Sequence, residues 1–226
     1  MVAAGSGERL GAGGPKAFVP LAGRPLVEWS IAAFRAASVR SIVVACPPGH
    51  VHQLAGSDLG VVDGGATRAQ SVSNALAAVG TELVAIHDAA RPLVTSELIE
   101  AVIATLLEDP EAAGAIAATP VTDTIKQVEQ RVMTFDAHRV IDPSVEVEGT
   151  LDRGRLWAAQ TPQAFRVEAL RAALAVDRDR VAGATDEAML VEAAGGRVLI
   201  HPSSAQNLKV TTPLDLMLAE LLLSEQ

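Results

Sequence analysis

The residues with the clearest chemical potential stand at the start of the chain, in MVAAGSGERLGAGGPKAFVPL. Gly5, Ser6 and Gly7 form a small-residue turn, Arg9 lies just inside it, and Pro15-Lys16 follows after a second glycine cluster. Small residues let backbone N–H groups approach phosphate oxygens, and the two cations add charge where a phosphate chain would lie. A Walker A loop needs a lysine followed by Ser or Thr, but Lys16 is followed by Ala17. A dinucleotide fingerprint needs a third glycine three residues after the second, but Leu10 stands there and Arg9 intrudes. What remains is a GxGxR loop with a trailing Pro-Lys, suited to a triphosphate.

Lysine is rare. The 18 cations include only three lysines, Lys16, Lys126 and Lys209, so arginine is the ordinary surface cation. A compact point charge was kept at these three positions, which marks them for inspection. Net charge is −9, which argues against a nucleic-acid or acidic-membrane binder and still permits a small anionic substrate met by locally concentrated cations. No apolar run reaches the roughly 18 residues of a membrane helix, and the N-terminus has no charged-then-apolar leader. A lone cysteine, Cys46, rules out an internal disulfide and a CxxC metal site and reads as a core thiol. The compartment expected from these features is the cytosol.

The elements that must position the loop alternate. Residues 41–46, 60–65, 83–92, 113–120 and 197–202 read as buried strands, and 25–38, 67–79, 95–108, 166–175, 185–195 and 212–225 as helices. Pro25 suits a first helical position, Thr67 with Gln70 a capping box, Thr185 an N-cap, and Thr212-Pro213 an N-cap and N1 pair. The alternation predicts an α/β fold, a Rossmann-like three-layer αβα sandwich with a mostly parallel sheet. Ligands bind such sheets beyond the carboxyl ends of the strands, where the glycine loop, DGGATR and HDAARP should converge. The 226 residues fit a single domain. Residues 121–152 depart from the pattern: they are polar, with the alternation VEVEG, and predict an antiparallel hairpin or arm outside the sheet, suited to a subunit contact.

The motifs AAGSGERL with PKAF, VVDGGATRAQSV, HDAARP, VTDT, DRGRLWAAQTPQAF, TDEA and NLKVTTPLDL run in order across almost the whole chain. Together they resemble the 2-C-methyl-D-erythritol 4-phosphate cytidylyltransferases of the non-mevalonate isoprenoid pathway. The resemblance implies a Rossmann-like nucleotidyltransferase, a homodimer built through the arm, and a reaction of CTP with methylerythritol phosphate that gives CDP-methylerythritol and pyrophosphate. It implies Lys16, Arg9 and Lys209 on the reacting phosphates, and Asp88 at a strand end as the ligand of Mg2+. Ala3, Ala4, Gly5, Ser6, Gly7, Gly65 and Ser71 would cradle the nucleotide. Thr124, Arg153 and Thr161 would hold the acceptor, the first two reaching across the dimer, and Arg91 would bind the acceptor phosphate or steady Asp88. His87 reads as a core or wall residue.

Two departures stand out. The family has a full apolar strand before its glycine loop, and here only Met1–Ala4 precede Gly5. The expectation is an upstream start or a shortened chain, with unpaired strand groups and an unfilled core slot in the chain as it stands. The stretch from Lys126 to Arg153 is also longer than the family norm, and Ala66 replaces an acidic residue. Two other readings remain: a cytidylyltransferase for ribitol 5-phosphate, and a catalytically silent nucleotide-binding homologue.

Overall fold

The structure, a computed structural model, describes residues 1–11, 13–54, 58–128, 146–175, 181 and 183–225. It divides into two compact units: Met1–Ala118 with Ala159–Gln226, and Thr119–Ala158.

In the larger unit the chain makes a small hairpin of β1 (Pro20–Leu21) and β2 (Arg24–Pro25), then α1 (Leu26–Ala36), β3 (Val43–Cys46), β4 (Gly60–Asp63), α2 (Arg68–Leu76), β5 (Leu83–Ile86), α3 (Ser96–Leu107) and β6 (Gly114–Pro120). The smaller unit holds β7 (Lys126–Val128) and β8 (Val147–Thr150). The chain returns along β9 (Trp157–Arg166), then α4 (Val167–Leu174), α5 (Glu187–Ala193), β10 (Val198–Pro202) and α6 (Pro213–Ser224). Strands β3 and β4 pair in parallel, and so do β10 and β6. β10-β6-β9-β5 form a four-stranded sheet, and β3 with β4 a separate two-stranded one. Apolar side chains cover both faces. Val72, Leu76, Ile86, Phe165, Leu170 and Leu190 cluster on one side, and Phe34, Val94 and Ile99 pack on the other, the layered arrangement of an α/β sandwich.

Caps set several helix starts. The Thr67 hydroxyl accepts from Gln70 N–H, and Thr95 accepts from Leu98 N–H. Thr212 and Asp215 form a reciprocal capping box with Pro213 in the first turn. Two local expectations shift. Pro25 is the residue before α1 rather than its first member. The cap of α5 is Asp186, whose carboxylate accepts from Met189 N–H, so Thr185 lies outside and Glu187 becomes the first helical residue.

The short strands β1 and β2 and the long strand β9 lie outside the strands predicted from sequence. β9 crosses the sheet antiparallel to β5, with Ala164 opposite Ala85. Its centre, Gln160-Thr161-Pro162-Gln163, is polar and contains a proline, which masks strand character. Its amide donors find partners: Gln163 donates to Gln160 O and to the Asp186 carboxylate, while Gln163 Oε1 is buried without one. The four-stranded sheet thus carries one antiparallel strand, while the parallel pairs β10-β6 and β3-β4 keep the pattern the alternation predicts.

Val2 forms single parallel bridges to Ala45 and to Asp88, so Met1–Ala3 lie between β3 and the end of β5. Ala3 N–H donates to Ala45 O at 2.9 Å and Val2 N–H to His87 O at 2.8 Å. On the amino-terminal side of this short bridge a cavity of about 570 Å3 opens, walled by Val43, Ala85, Val72, Leu76, Phe34 and Ile103.

In the smaller unit β7 and β8 pair antiparallel, as the alternation of the arm suggests. The remainder of the arm, residues 129–145, lies outside the described residues.

Candidate active site

A cavity of about 640 Å3 lies at the carboxyl ends of β3, β4 and β5, walled by the glycine loop, the start of α2 and the segment around Lys209. The loop is shaped by its own backbone. Lys16 N–H donates to Gly5 O at 3.2 Å, closing residues 5–16 on themselves. Gly7 has φ +78°, and a Cβ there would meet Gly14 O at 2.9 Å and Lys16 N at 3.0 Å. Only glycine fits this turn. On the opposite wall Gly64 N–H donates to Cys46 O, and a Cβ on Gly64 would meet the Ala4 methyl at 2.4 Å. Ser71, buried, accepts from Gly65 N–H at 3.0 Å and donates to Thr67 O, which pins the turn before α2.

The sequence-predicted nucleotide residues Ala3, Ala4, Gly5, Ser6, Gly7, Gly65 and Ser71 all line this cavity, together with Arg9, Lys16, Lys209 and Asp88. Lys16 is half-buried, and its ammonium is pushed down to about 8, first by burial and then by the nearby charges of Lys209 and Arg9. With Arg68, four cationic side chains thus line one space, alongside the acids Glu8 and Asp88.

Asp88 is the counter-charge. Burial opposes its ionisation, yet Arg68 and Lys209 prevail and hold the carboxyl well below the usual carboxylate range. Arg68 Nε donates to Oδ1 at 3.1 Å, with Nη2 3.0 Å from the same oxygen in the ion pair, and Lys209 Nζ donates to Oδ2 at 2.7 Å. Arg68 Nη1 also donates to Glu187 Oε2 at 2.5 Å. Burial pushes the Glu187 carboxyl up while the Arg68 guanidinium pulls it back. Sequence reasoning missed Arg68 and Glu187. One signal for Arg68 was available: it is the first residue of α2, where the helix dipole disfavours a cation unless a carboxylate compensates.

A chain of hydrogen bonds fixes Asp88 from below. Asp88 N–H donates to Thr161 Oγ1 at 3.1 Å. Thr161 Oγ1 lies 3.0 Å from His87 Nδ1, and His87 Nε2 lies 3.1 Å from Arg91 O. Because a carbonyl only accepts, Nε2 carries the proton and Nδ1 accepts from the threonine hydroxyl. Burial lowers His87 to about 3, so the ring is neutral. His87 is a core residue, as its sequence setting suggests.

The expected acceptor residues are more scattered. The Thr161 hydroxyl is buried and engaged in this chain. Arg91 is buried and donates to Asn207 O at 2.7 Å and Ala159 O at 3.4 Å, tying down the segment that carries Lys209. Thr124 and Arg153 belong to the smaller unit and are exposed, and there Arg153 donates to Thr122 O at 2.7 Å.

Comparison with known proteins places the chain in a family. The profile of the IspD family, 2-C-methyl-D-erythritol 4-phosphate cytidylyltransferase, matches residues 1–225. A 2-C-methyl-D-erythritol 4-phosphate cytidylyltransferase of Frankia casuarinae is 43% identical, covering 98% of this chain and 79% of the relative. One of Gloeobacter violaceus is 41% identical, over 99% and 94%. Among solved structures, the enzyme of Thermus thermophilus superposes with a TM-score of 0.79 at 33% identity, covering 99% of this chain and 96% of that one. That of Francisella tularensis gives 0.77 at 29%, over 97% and 96%. The ordered motifs, the mixed α/β sheet and the cationic loop facing Asp88 have their explanation in this kinship: the chain is a nucleotidyltransferase and belongs to the 2-C-methyl-D-erythritol 4-phosphate cytidylyltransferase family.

Proposed function

We propose that the protein transfers CMP from CTP to 2-C-methyl-D-erythritol 4-phosphate, releasing pyrophosphate, with Mg2+ as cofactor. The observation that carries this reading is the convergence of Lys16, Lys209 and Arg9 on one cavity opposite a single ionised aspartate. The nucleophile, a phosphate monoester oxygen, is already an anion, so no general base or covalent intermediate is required. The task is to bring two anions together and to neutralise the charge that grows as pyrophosphate leaves.

Backbone N–H groups of residues 5–7 approach the phosphates, and Arg9 and Lys16 supply charge along the triphosphate. Lys16 is the stabiliser of the α-phosphoryl group. Lys209 swings from Asp88 to the reacting phosphates. Ala3, Ala4, Gly65 and Ser71 form a snug wall that rejects purines by size and reads cytosine through small polar contacts. Arg153 and Thr124 recognise the acceptor across a homodimer built through the arm, and arginine suits bidentate contact with its phosphate.

The donor set fits Mg2+. Among the described residues no group of three or more His, Cys, Asp or Glu could hold a metal. A cation here would take one oxygen of Asp88 and fill its remaining positions with phosphates and water, which is how Mg2+ is usually held. When bound, Mg2+ offsets charge on the triphosphate and on departing pyrophosphate. No helix among the described residues is long and apolar enough to cross a membrane. With the lone buried Cys46, this supports a reducing, cytosolic setting.

The test is pyrophosphate release from CTP and Mg2+, with methylerythritol phosphate and ribitol 5-phosphate offered in parallel and Lys16→Ala as control. Release with the first acceptor, lost in the control, is expected. Release only with ribitol 5-phosphate changes the acceptor, and CTP binding without release with either acceptor refutes the activity.

A further inference from the structure

The carboxylate of Asp88 is held asymmetrically. Oδ1 takes a hydrogen bond from Nε of Arg68 and is ion-paired with its Nη2; that side chain is 22% exposed, and its Nη1 is tied to Glu187, 1% exposed. Oδ2 takes one donor from Lys209, 43% exposed. One oxygen is locked from the buried side and the other is closed by a side chain free to leave.

The charges of this cluster sum in a telling way. Asp88 and Glu187 carry two negative charges, and Arg68 and Lys209 two positive ones. A lone arginine buried against Asp88 would cancel its charge whatever Lys209 did. Glu187 cancels Arg68 instead. When Lys209 leaves for an incoming phosphate, Arg68, Asp88 and Glu187 together retain one negative charge beside the triphosphate. Asp186 already caps α5, and Glu187 Oε1 is buried without a partner. An unpartnered buried carboxylate oxygen is costly for stability, so its retention points to an electrostatic duty.

We propose that Arg68 and Glu187 are positioning residues for the cation of the reaction: Arg68 fixes Asp88 so that Oδ2 faces the cavity, and Glu187 preserves the negative charge that draws a divalent ion there once Lys209 departs. The inference rests on the Mg2+-dependent reading above. It makes Lys209 a placeholder in the free enzyme, exchanged for the ion only when a triphosphate arrives to take the ammonium.

The experiment is calorimetric CTP binding with and without Mg2+, for the wild type and Glu187→Gln, with the unliganded melting temperature of each. The amide keeps the shape and removes the charge. Without metal, Glu187→Gln should bind CTP several-fold more tightly, because a negative charge near the triphosphate is gone. With Mg2+, it should bind more weakly, so that the enhancement by metal shrinks roughly tenfold, the reach of a unit charge on a nearby divalent ion. In turnover, the apparent KM for Mg2+ should rise while kcat at saturating metal stays within about twofold, the sign of lost ion attraction rather than lost transition-state contact.

A purely structural Glu187 would weaken both binding modes together with the melting temperature, and that result overturns the proposal. Glu187→Asp keeps the test decisive if the amide variant folds poorly. It keeps the negative charge, so Mg2+ must still strengthen CTP binding, and loss of the enhancement there refutes the charge argument. A wild type with no enhancement by Mg2+ sinks both the cofactor assignment and this inference. An intact enhancement in the wild type, unchanged in Glu187→Gln, sinks the inference alone.

Discussion

Binding of a triphosphate beside Lys16 should draw protons from solution. The ammonium sits at about 8, against an ordinary value of 10.5, because it is half-buried and faces Lys209 and Arg9. A triphosphate outweighs both causes by supplying negative charge, so the bound state should hold Lys16 fully protonated at pH 8. The free enzyme then binds about 0.5 of a proton at this group at pH 8, roughly 0.1 less than one at pH 7 and about 0.1 at pH 9. Uptake on binding CTP should therefore be about 0.5 proton at pH 8, rising to about 0.9 at pH 9 and falling to about 0.1 at pH 7. Above pH 8 the affinity should fall by close to tenfold per unit until the pKa of the complex is reached. Calorimetry at each pH in two buffers of different ionisation enthalpy reads the uptake directly. Lys16→Ala should abolish it and weaken CTP binding. Lys16→Arg should abolish it too, since a guanidinium stays charged, while keeping part of the affinity. Uptake that persists in Lys16→Ala, or that is absent in the wild type at pH 8, refutes the argument. The same shift makes charged Lys16 a cost to the folded state below pH 8, and that cost should fade as pH rises from 8 towards 10.5.

Other perturbations test other links. Gly7→Ala should weaken triphosphate binding about tenfold or more, measured by calorimetry, because φ +78° and a 2.9 Å approach to Gly14 O force the loop open; wild-type affinity would contradict the loop geometry. Thr161→Val should leave the buried Asp88 N–H and His87 Nδ1 without partners and cost about 1–3 kcal/mol in denaturant unfolding. Four apolar β-forming residues added before Met1 should enter the 570 Å3 slot and raise the melting temperature. Each buried Val contributes about 1.5–3 kcal/mol against roughly 1–2 kcal/mol for ordering its backbone. Equal melting temperatures would mean that the slot does not accept a strand.

The local signals were legible because their physics is local. Gly7 shows its turn through the small residues around it, Thr67 and Thr212 show helix starts through the backbone donors each can cap, and the scarcity of lysine drew attention to Lys16 and Lys209. Caps drift by a residue where two candidates adjoin, as at Thr185 and Asp186, since either side chain can reach the same turn and packing chooses. Strand β9 is hidden because its polar centre is offset by partners far away in sequence: Asn207 Nδ2 donates to Gln160 Oε1, and Thr161 Oγ1 meets Asp88 N–H and His87 Nδ1.

By itself the sequence determined the alternation of strands and helices, the polar arm, the phosphate-suited loop and the family, all of which follow from periodicity, turn chemistry and motifs read along the chain. The tertiary structure alone decided which charges meet. Arg68 and Glu187 are 119 residues apart, and Lys209 and Asp88 are 121 apart. No spacing rule links them, and their chemistry arises only when the sheet and its helices bring them into one desolvated space, where a unit of charge weighs far more than in water.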